Sequence, residues 1–359
     1  MDKYNKKTWK SFTLPAKIAA MFVAIILTGG VVIATTYIVK DIVKLDKMSH
    51  LNDAVENGYI QNIDMDYIQQ DGIEFKIDYL LMDDTNFDLV FNFKFDGDVS
   101  NYEGVSIPEL IITDEQNNQI FFDTESEEHY KSYAKSMGYN TIEKTGNTIR
   151  QLLFLKSNKF PKSKKIYVSF KTVILYNVSQ GNPFTKELNG DWKLEFDVDK
   201  QFTDRTNINY EVKKSDAGDK VEIQVAELTN TGFNISLKSS IMKEIESIEL
   251  EGKNGEKYEL VDSILIEDLE KYSEASSQAL KIVGHPEIPS ENFTGEAVVV
   301  SDSSYWEKLN KEIDKILYPD GMREVLITFN MTKYNGKDSV KLILTEKNGD
   351  KISIVLEKK

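Results

Sequence analysis

The feature that most constrains this chain is an uncharged apolar run of 22 residues, from Ile18 to Val39. As a helix it would be roughly 33 Å long at about 1.5 Å per residue, which is enough for a hydrocarbon core of about 30 Å. Lys17 and Lys40 bracket the run. The sequence therefore predicts a transmembrane helix over 18–39, with the lipid bilayer as a partner.

The lysines on either side of this run predict its orientation. Residues 1–17 hold five Lys against Asp2, a net charge of +4, whereas the flank after Lys40 is nearly neutral. The positive-inside rule makes 1–17 a basic cytoplasmic stub and puts 40–359 outside the cell membrane in a single-pass arrangement. A cleaved signal peptide, with a cleavage site at 32–34, is the alternative, and it also exports the rest of the chain.

Small residues within the run suggest one further partner. Ala20/Ala24 and Gly30/Ala34 each form a small-x-x-x-small pair, which lets two membrane helices approach closely. A homodimer through this face is one hypothesis. The other is that such pairs arise by chance in a span that contains Ala and Gly.

Charge and cysteine content exclude several classes of function. The chain carries −15 overall, so subtracting the +4 of the stub leaves −19 on the remainder. Such an acidic body lacks the clustered cations that phosphate contacts need, and we expect no nucleic-acid partner. Without Cys there is no disulfide, thiol nucleophile or thiolate metal site.

After the membrane run, the period of the apolar residues identifies the elements. Steps of three and four between Ile42 and Tyr59 predict an amphipathic juxtamembrane helix over 40–61 that ends near Gly58 and packs on the first domain. The period then becomes two. Alternation over 73–79 and 87–95, around the turn 83–86, predicts a β-hairpin. Further strands are predicted at 108–113, 119–123, 151–156, 166–176 and 191–198.

The second half repeats this order of features. A second hairpin is centred on the turn 229–232, and 109–122 is matched by 247–260, 164–177 by 323–336, and 190–198 by 349–357. Four matches in one order indicate two tandem copies of a β-sandwich, over 62–200 and 206–359. Amphipathic patterns predict short helical inserts at 124–138, 265–280 and 303–317.

A search for reaction chemistry finds no catalytic constellation. His50, His129 and His285 are isolated, and no phosphate loop or nucleophile elbow is present. Three carboxylate groups resemble calcium ligands, but none has the twelve-residue loop spacing, and turn chemistry also favours Asp there; they are Asp64/Asp66, Asp83/Asp84/Asp88 and Asp96/Asp98. We therefore predict no catalytic, cofactor-binding or metal-binding residues and no enzyme activity. Trp192 shares a strand face with Leu194 and Phe196, which favours burial over sugar stacking.

Residues 54–95 resemble the opening of the domain of unknown function 4179 family, which occurs in Gram-positive membrane proteins. The similar parts are 57–59, 71–73, the aromatic hairpin and Gly190-Asp191-Trp192. The second copy resembles the immunoglobulin-like domain that follows in such proteins. The resemblance implies a mainly β fold, with the transmembrane helix followed by two tandem immunoglobulin-like β-sandwiches. It also implies an anti-sigma-factor-type circuit.

Together these observations predict a membrane-anchored extracytoplasmic binding or sensor module. The family's anti-sigma members carry a cytoplasmic domain before the span, and residues 1–17 are too short to bind a sigma factor. The alternative function is a structural or adhesive cell-envelope protein that binds wall polymer or another protein. A secreted hydrolase with a carboxylate pair is the third hypothesis.

Overall fold

The computed structural model describes residues 49–122, 132–177, 184–265, 269–283 and 303–359. The prediction of a mainly β fold is confirmed, since strands dominate both halves of the chain. The stub 1–17, the membrane run 18–39 and residues 40–48 lie outside the described residues. Among the helices of the described residues, none is both long and apolar enough to cross a membrane.

The first half forms two sheets that share one core. One sheet has the order β1-β3-β4-β9-β8, with β2 also paired to β3, and the other has the order β11-β10-β6-β7, with β5 also paired to β10. The strands are β1 (Gln61–Asn62), β2 (Ile68–Gln70), β3 (Ile73–Met82), β4 (Asn86–Phe95), β5 (Gly104–Ser106), β6 (Ile111–Asp114), β7 (Gln119–Phe122), β8 (Ser136–Thr145), β9 (Thr148–Lys156), β10 (Lys165–Asn177) and β11 (Phe184–Asp197).

Aromatic side chains fill the space between these two sheets. Phe75 of β3 packs edge-on against Phe170 of β10, at 5.0 Å between ring centroids, and so joins the sheets. Trp192 of β11 stacks on Phe170 at the same distance and is fully buried. The predicted burial of Trp192, Leu194 and Phe196 on one face is confirmed. Alternation with a period of two carried that signal, because alternate residues of a strand share a face.

The second half is built on one continuous strand order. Nine strands follow the path β16-β15-β19-β20-β12-β13-β14-β18-β17, and β12 pairs with β13 through its first two residues and with β20 through the rest. They are β12 (Ile208–Ser215), β13 (Val221–Leu228), β14 (Phe233–Ser239), β15 (Ile245–Gly252), β16 (Lys257–Tyr258), β17 (Leu260–Leu265), β18 (Arg323–Phe329), β19 (Ser339–Glu346) and β20 (Lys351–Lys358). Both arms of the path contribute to one apolar core.

The strand orders of the two halves correspond. The path β3-β4-β9-β8 has its counterpart in β13-β14-β18-β17, and β11-β10-β6-β7 has its counterpart in β20-β19-β15-β16. The match of 164–177 to 323–336 was therefore wrong by one strand. The counterpart of β10 is β19, and β18 corresponds to β9. The error arose because β9 and β10 are both long apolar strands that the pattern alone does not distinguish.

Two glutamine side chains close the first half where backbone pairing is missing. Gln61 donates to the carbonyl oxygen of Asp197 at 2.7 Å and accepts from the amide of Asp199 at 2.8 Å. Gln70 makes the same pair of contacts with the backbone of Asp191, at 2.9 and 2.6 Å. The side chain of Gln61 thus links β1 to the end of β11, and the side chain of Gln70 links β2 to β11. In the second half, strand β12 makes the equivalent connection, because it lies between β13 and β20.

The helices are α1 (Ser49–Glu56), the short α2 (Lys200–Thr203), α3 (Leu269–Val283) and α4 (Ser303–Leu317), with 3₁₀ turns at Gly218–Lys220 and Met242–Glu244. Helix α1 ends in a Schellman motif: Gly58 has φ +79°, Gly58 N donates to Val55 O, and Tyr59 N donates to Ala54 O. The prediction that the helix within 40–61 ends near Gly58 is therefore confirmed, and its first part, 40–48, is outside the described residues. Predicted helices at 265–280 and 303–317 correspond to α3 and α4.

The predicted helix at 124–138 was wrong where the structure describes it. Residues 132–135 are irregular and 136–138 begin strand β8, while 123–131 lie outside the described residues. Among the described strands, β8 pairs with β9 alone and lies at the edge of its sheet, and most of its residues are half-exposed. Because neither face is fully buried, its sequence carries no alternating signal to oppose the helical pattern.

Candidate functional site

The turn between β3 and β4 is the point at which the first half meets the second. Asp83, at the start of this turn, is 1% exposed. Its Oδ1 accepts from the backbone amides of Thr85 and Asn86, at 2.9 and 3.0 Å, and this fixes the turn locally. Its Oδ2 accepts from the backbone amide of Thr231, at 3.3 Å, and from the hydroxyl of the same residue. One carboxylate thus holds its own turn and a turn 148 residues away.

The partner turn, between β13 and β14, has the same internal geometry. Thr229 Oγ1 accepts from the amides of Thr231 and Gly232, at 3.2 and 3.1 Å, as Asp83 Oδ1 does from Thr85 and Asn86. In both turns the backbone amide of the first residue donates to the carbonyl of the fourth at 2.8 Å. Equivalent turns of the two halves therefore meet, and we call the contact of 83–86 with 229–232 the joint.

Buried amide and hydroxyl groups complete the joint. Asn86 Nδ2 donates to Thr231 Oγ1 at 2.5 Å, and its Oδ1 accepts from the ammonium of Lys156, which is 3% exposed. Asn234 of β14 donates to Thr85 Oγ1 at 2.9 Å and accepts from Thr328 Oγ1 at 2.9 Å. Because groups buried without partners cost about 1–3 kcal/mol each, this matched set favours one relative placement of the halves.

Electrostatics at the joint keep the Asp83 carboxyl charged. Burial alone would raise the pKa of Asp83, but hydrogen bonds from the Thr231 hydroxyl and from the Thr85 and Asn86 amides outweigh burial and lower the pKa. Burial raises the pKa of Glu227 close by, and the amide of Asn207 acts against that rise. At the joint, Asp83 is therefore a buried carboxylate that is stabilised in its charged form by hydrogen-bond donors.

A buried arginine fastens the segment that links the two halves. Arg205 Nε donates to Asp84 Oδ1 at 2.5 Å. The remaining guanidinium nitrogens donate to the backbone carbonyls of Phe202, Phe160 and Pro161, between 2.8 and 3.1 Å. Asp84 also accepts from Asn207 Nδ2 at 2.6 Å, and Asn207 donates to Glu227 at 2.7 Å. These hydrogen bonds thus hold the linker against the same turn.

Helix α1 touches both halves. Leu51, Ala54 and Val55 are at most 2% exposed and belong to the core of the first half. On another side of the helix, Asp53 Oδ2 accepts from Asn335 Nδ2 at 2.6 Å and from Thr332 Oγ1 at 3.2 Å, both in the second half. The helix that follows the predicted transmembrane segment therefore contacts both halves of the chain.

Asp88 of β4 lies in an apolar pocket close to α1 and is 3% exposed. Leu51 and Val55 of α1, together with Leu81 and Leu152 of the sheet, line this pocket. Both carboxylate oxygens lack a hydrogen-bond partner within the described part of the chain. Burial raises the pKa of Asp88 to about 7; Lys156 acts against the rise and Asp83 adds to it.

The other candidate residues from the sequence do not converge on a metal centre. Within the described ranges, no group of three or more His, Asp or Glu side chains is placed to hold a metal ion. Asp96 and Asp98 line a cavity of about 310 Å³ with Asp71, but Asp98 accepts from Ser100 and Asp71 accepts from the amide of Asn189. Of the histidines, His129 and His285 lie outside the described residues.

Comparisons with known proteins add little to these observations. No protein family model matches the chain, and no curated protein matches it. Among solved structures, the crystal structure of the conserved domain protein from Bacillus anthracis aligns with 84% of this chain and 90% of its own, at 10% identity and a TM-score of 0.41.

Sequence reasoning found the two turns but not their meeting. Both were expected as hairpin turns, and the Asp and Thr at their first positions are the signal for side-chain capping. The meeting itself has no local signal. The pair Asp83 and Thr231 is 148 residues apart, and Arg205 and Asn207 had no assigned role.

Proposed function

We propose that this chain is a non-catalytic extracytoplasmic binding or sensor module, held at the cell membrane by residues 18–39. In this proposal 62–200 and 206–359 are immunoglobulin-like β-sandwich domains, the second continuing from the linker. The corresponding strand orders and the shared core within each half support this division. The resemblance to the domain of unknown function 4179 family adds the hypothesis of an anti-sigma-type circuit.

One observation carries the sensor part of the proposal: α1, the first described element after the predicted span, contacts both halves. Its apolar side packs into the first half, and Asp53 binds Thr332 and Asn335 of the second. A ligand that favours a different placement of the halves would break these contacts or strain α1. The change would then be passed towards the membrane through nine residues, 40–48.

The anchored topology is tested by fractionating cells that express the chain with an N-terminal tag and then treating intact cells with protease. We expect the tag in the membrane fraction and protected, with the β-rich body digested from outside. A soluble secreted product that begins near Thr35 would overturn the anchor.

The coupling is tested by Asp53→Ala in the full chain reconstituted in lipid nanodiscs, with Glu56→Ala as the control. Glu56 is exposed on the same helix, so the two variants remove similar carboxylates and only one of them bridges the halves. We expect faster amide hydrogen exchange in 49–56 and 330–336 for Asp53→Ala alone. Equal exchange in the two variants would mean that α1 is not held by the second half.

A further inference from the structure

A basic cavity lies on the second half, away from the joint. It has a volume of about 240 Å³ and lies between α4, the 3₁₀ turn Met242–Glu244 and the start of β18. Four cationic side chains and a single carboxylate line it: Lys243, Lys311, Lys315, Arg323 and Asp314. Ligand pockets for drug-sized molecules are typically about 300–1,000 Å³, so this cavity suits a small anionic group.

The ion pairs at the cavity do not neutralise all of its positive charge. Asp314 is shared, because both Lys243 and Arg323 form salt bridges with it. Lys315 pairs with Glu312 one turn earlier on α4. Lys311 is exposed and has no ion pair among the described residues. The four cations of the cavity therefore have two carboxylate partners between them, on a chain whose net charge is −15.

This excess of cations contrasts with the composition of the chain, which has 59 Asp and Glu residues against 44 Lys and Arg residues. Clustered like charges repel one another, and a nearby Asp or Glu would remove the repulsion. Arg323 is also held in place: its guanidinium lies 5.2 Å from the ring centroid of Tyr318, and its side chain is only 17% exposed. An oriented guanidinium with flexible ammonium groups beside it is the donor set that phosphate oxygens favour.

We propose that the basic cavity binds a phosphate or phosphodiester anion, with Lys311 and Lys315 as the first contacts and Arg323 as the fixed donor. The inference rests on the proposed function, since it supplies the ligand class of that binding module. Either a soluble phosphate polymer or the headgroup of an anionic lipid presents this chemistry. Asp314 already pairs with Lys243 and Arg323, so its carboxylate competes with the ligand for these two cations.

The test uses the full chain in nanodiscs of phosphatidylcholine, titrated with sodium tripolyphosphate by calorimetry at low ionic strength. The variant Lys311→Gln/Lys315→Gln removes two exposed cations without touching the core. Its control is Lys171→Gln/Lys186→Gln, the same charge change at exposed positions of β10 and β11 in the first half. We expect at least tenfold weaker binding in the cavity variant and a change below twofold in the control.

A second variant separates a ligand site from a merely structural ion cluster. Asp314→Asn removes the competing carboxylate, so tripolyphosphate should bind at least threefold more tightly, whereas a structural cluster predicts no gain. Nanodiscs of phosphatidylglycerol distinguish the sources. If headgroups fill the cavity, they should weaken tripolyphosphate binding for the wild type and leave the cavity variant unchanged.

The inference is overturned if the wild type does not bind tripolyphosphate in phosphatidylcholine discs, or if the cavity variant binds within twofold of it. These outcomes are independent of the exchange of α1 in Asp53→Ala and of the fractionation. A chain that binds here but is not anchored or coupled would refute the proposed function alone. A chain that is anchored and coupled but does not bind would refute this site alone.

Discussion

The buried carboxyl of Asp88 makes the stability of the first half depend on pH in an unusual direction. Its pKa is raised from 3.8 to about 7 in the folded chain, primarily by burial. The folded protein therefore keeps this proton over an interval in which the unfolded chain has released it. A raised folded pKa contributes stability that is full below about pH 4 and lost as the pH rises through about 7.

The magnitude follows from the shift. Roughly three pKa units at about 1.4 kcal/mol each give a total loss of roughly 4 kcal/mol between pH 4 and pH 8. Between pH 5.5 and pH 8, safely above the isoelectric point of about 4.9, the loss is roughly 2 kcal/mol. Asp88→Asn cannot ionise, so this variant should escape the loss. The second half already has Asn234 at the equivalent position of its hairpin, so an amide fits this backbone.

The assay is urea unfolding of the full chain at several pH values, followed by tryptophan fluorescence and circular dichroism. We expect the difference in unfolding free energy between Asp88→Asn and wild type to shift in favour of the variant by roughly 2 kcal/mol between pH 5.5 and pH 8. Asp96→Asn, an exposed carboxyl beyond the end of the same strand, is the control and should follow the wild type. Parallel curves for wild type and Asp88→Asn would refute the reasoning.

Two further substitutions test contacts elsewhere in the chain, one in the linker between the halves and one on edge strand β8. Arg205→Lys should lower the free energy of unfolding in urea by about 3 kcal/mol, because one ammonium group cannot replace the four hydrogen bonds of a buried guanidinium. The control is Lys200→Ala, which removes an exposed ion pair and should cost below about 0.5 kcal/mol. Equal effects would contradict the role of Arg205. Gly138→Ala should cost about 1–3 kcal/mol, because its Cβ would lie 2.1 Å from Cζ of Phe154; Gly97→Ala, which meets nothing within 4 Å, is the control.

The strands that face the core were predictable, and the edge strands were not. Alternation along 73–79 and 87–95 found β3 and β4 because every second side chain enters the space between the sheets. Strand β8 was missed, since an edge strand with two half-exposed faces has no such pattern. The short β1 and β2 were missed for another reason: the side chains of Gln61 and Gln70 hold them to β11, and sequence periodicity does not register such contacts.

The order of strands was predictable only in part. The hairpins and the closing strands β11 and β20 could be matched between the halves because polar turns bound them at similar spacings. The match of 164–177 to 323–336 failed because α3 and α4 are inserted before β18, so distance along the chain no longer indicates which strand is which. Which strands pair with one another depends on which sheet edges are unpaired when the core forms, and this depends on the whole half rather than on any local segment.

The joint depends on positions at which the two halves carry different residues. Asp88 and Asn234 occupy equivalent positions, and so do their neighbours on the adjoining strands, Phe154 and Thr328. In the second half, Thr328 donates to Asn234, which leaves the Asn234 amide free to bind Thr85 of the first half. In the first half, Phe154 offers no donor, and the carboxyl of Asp88 faces the apolar side of α1 instead.

The same end of the same sheet is thus covered in both halves, but by different elements. In the first half α1 covers it, and in the second half the turn 83–86 of the first half covers it. Asp53 of α1 also binds the second half directly, through its hydrogen bonds with Thr332 and Asn335. A change of placement at the joint must therefore either carry α1 along or break the bonds of Asp53. Burial of the Leu51 and Val55 side chains stabilises the contact of α1 with the first half by more than two hydrogen bonds stabilise its contact with the second half. We therefore expect α1 to stay with the first half and the hydrogen bonds of Asp53 to break first.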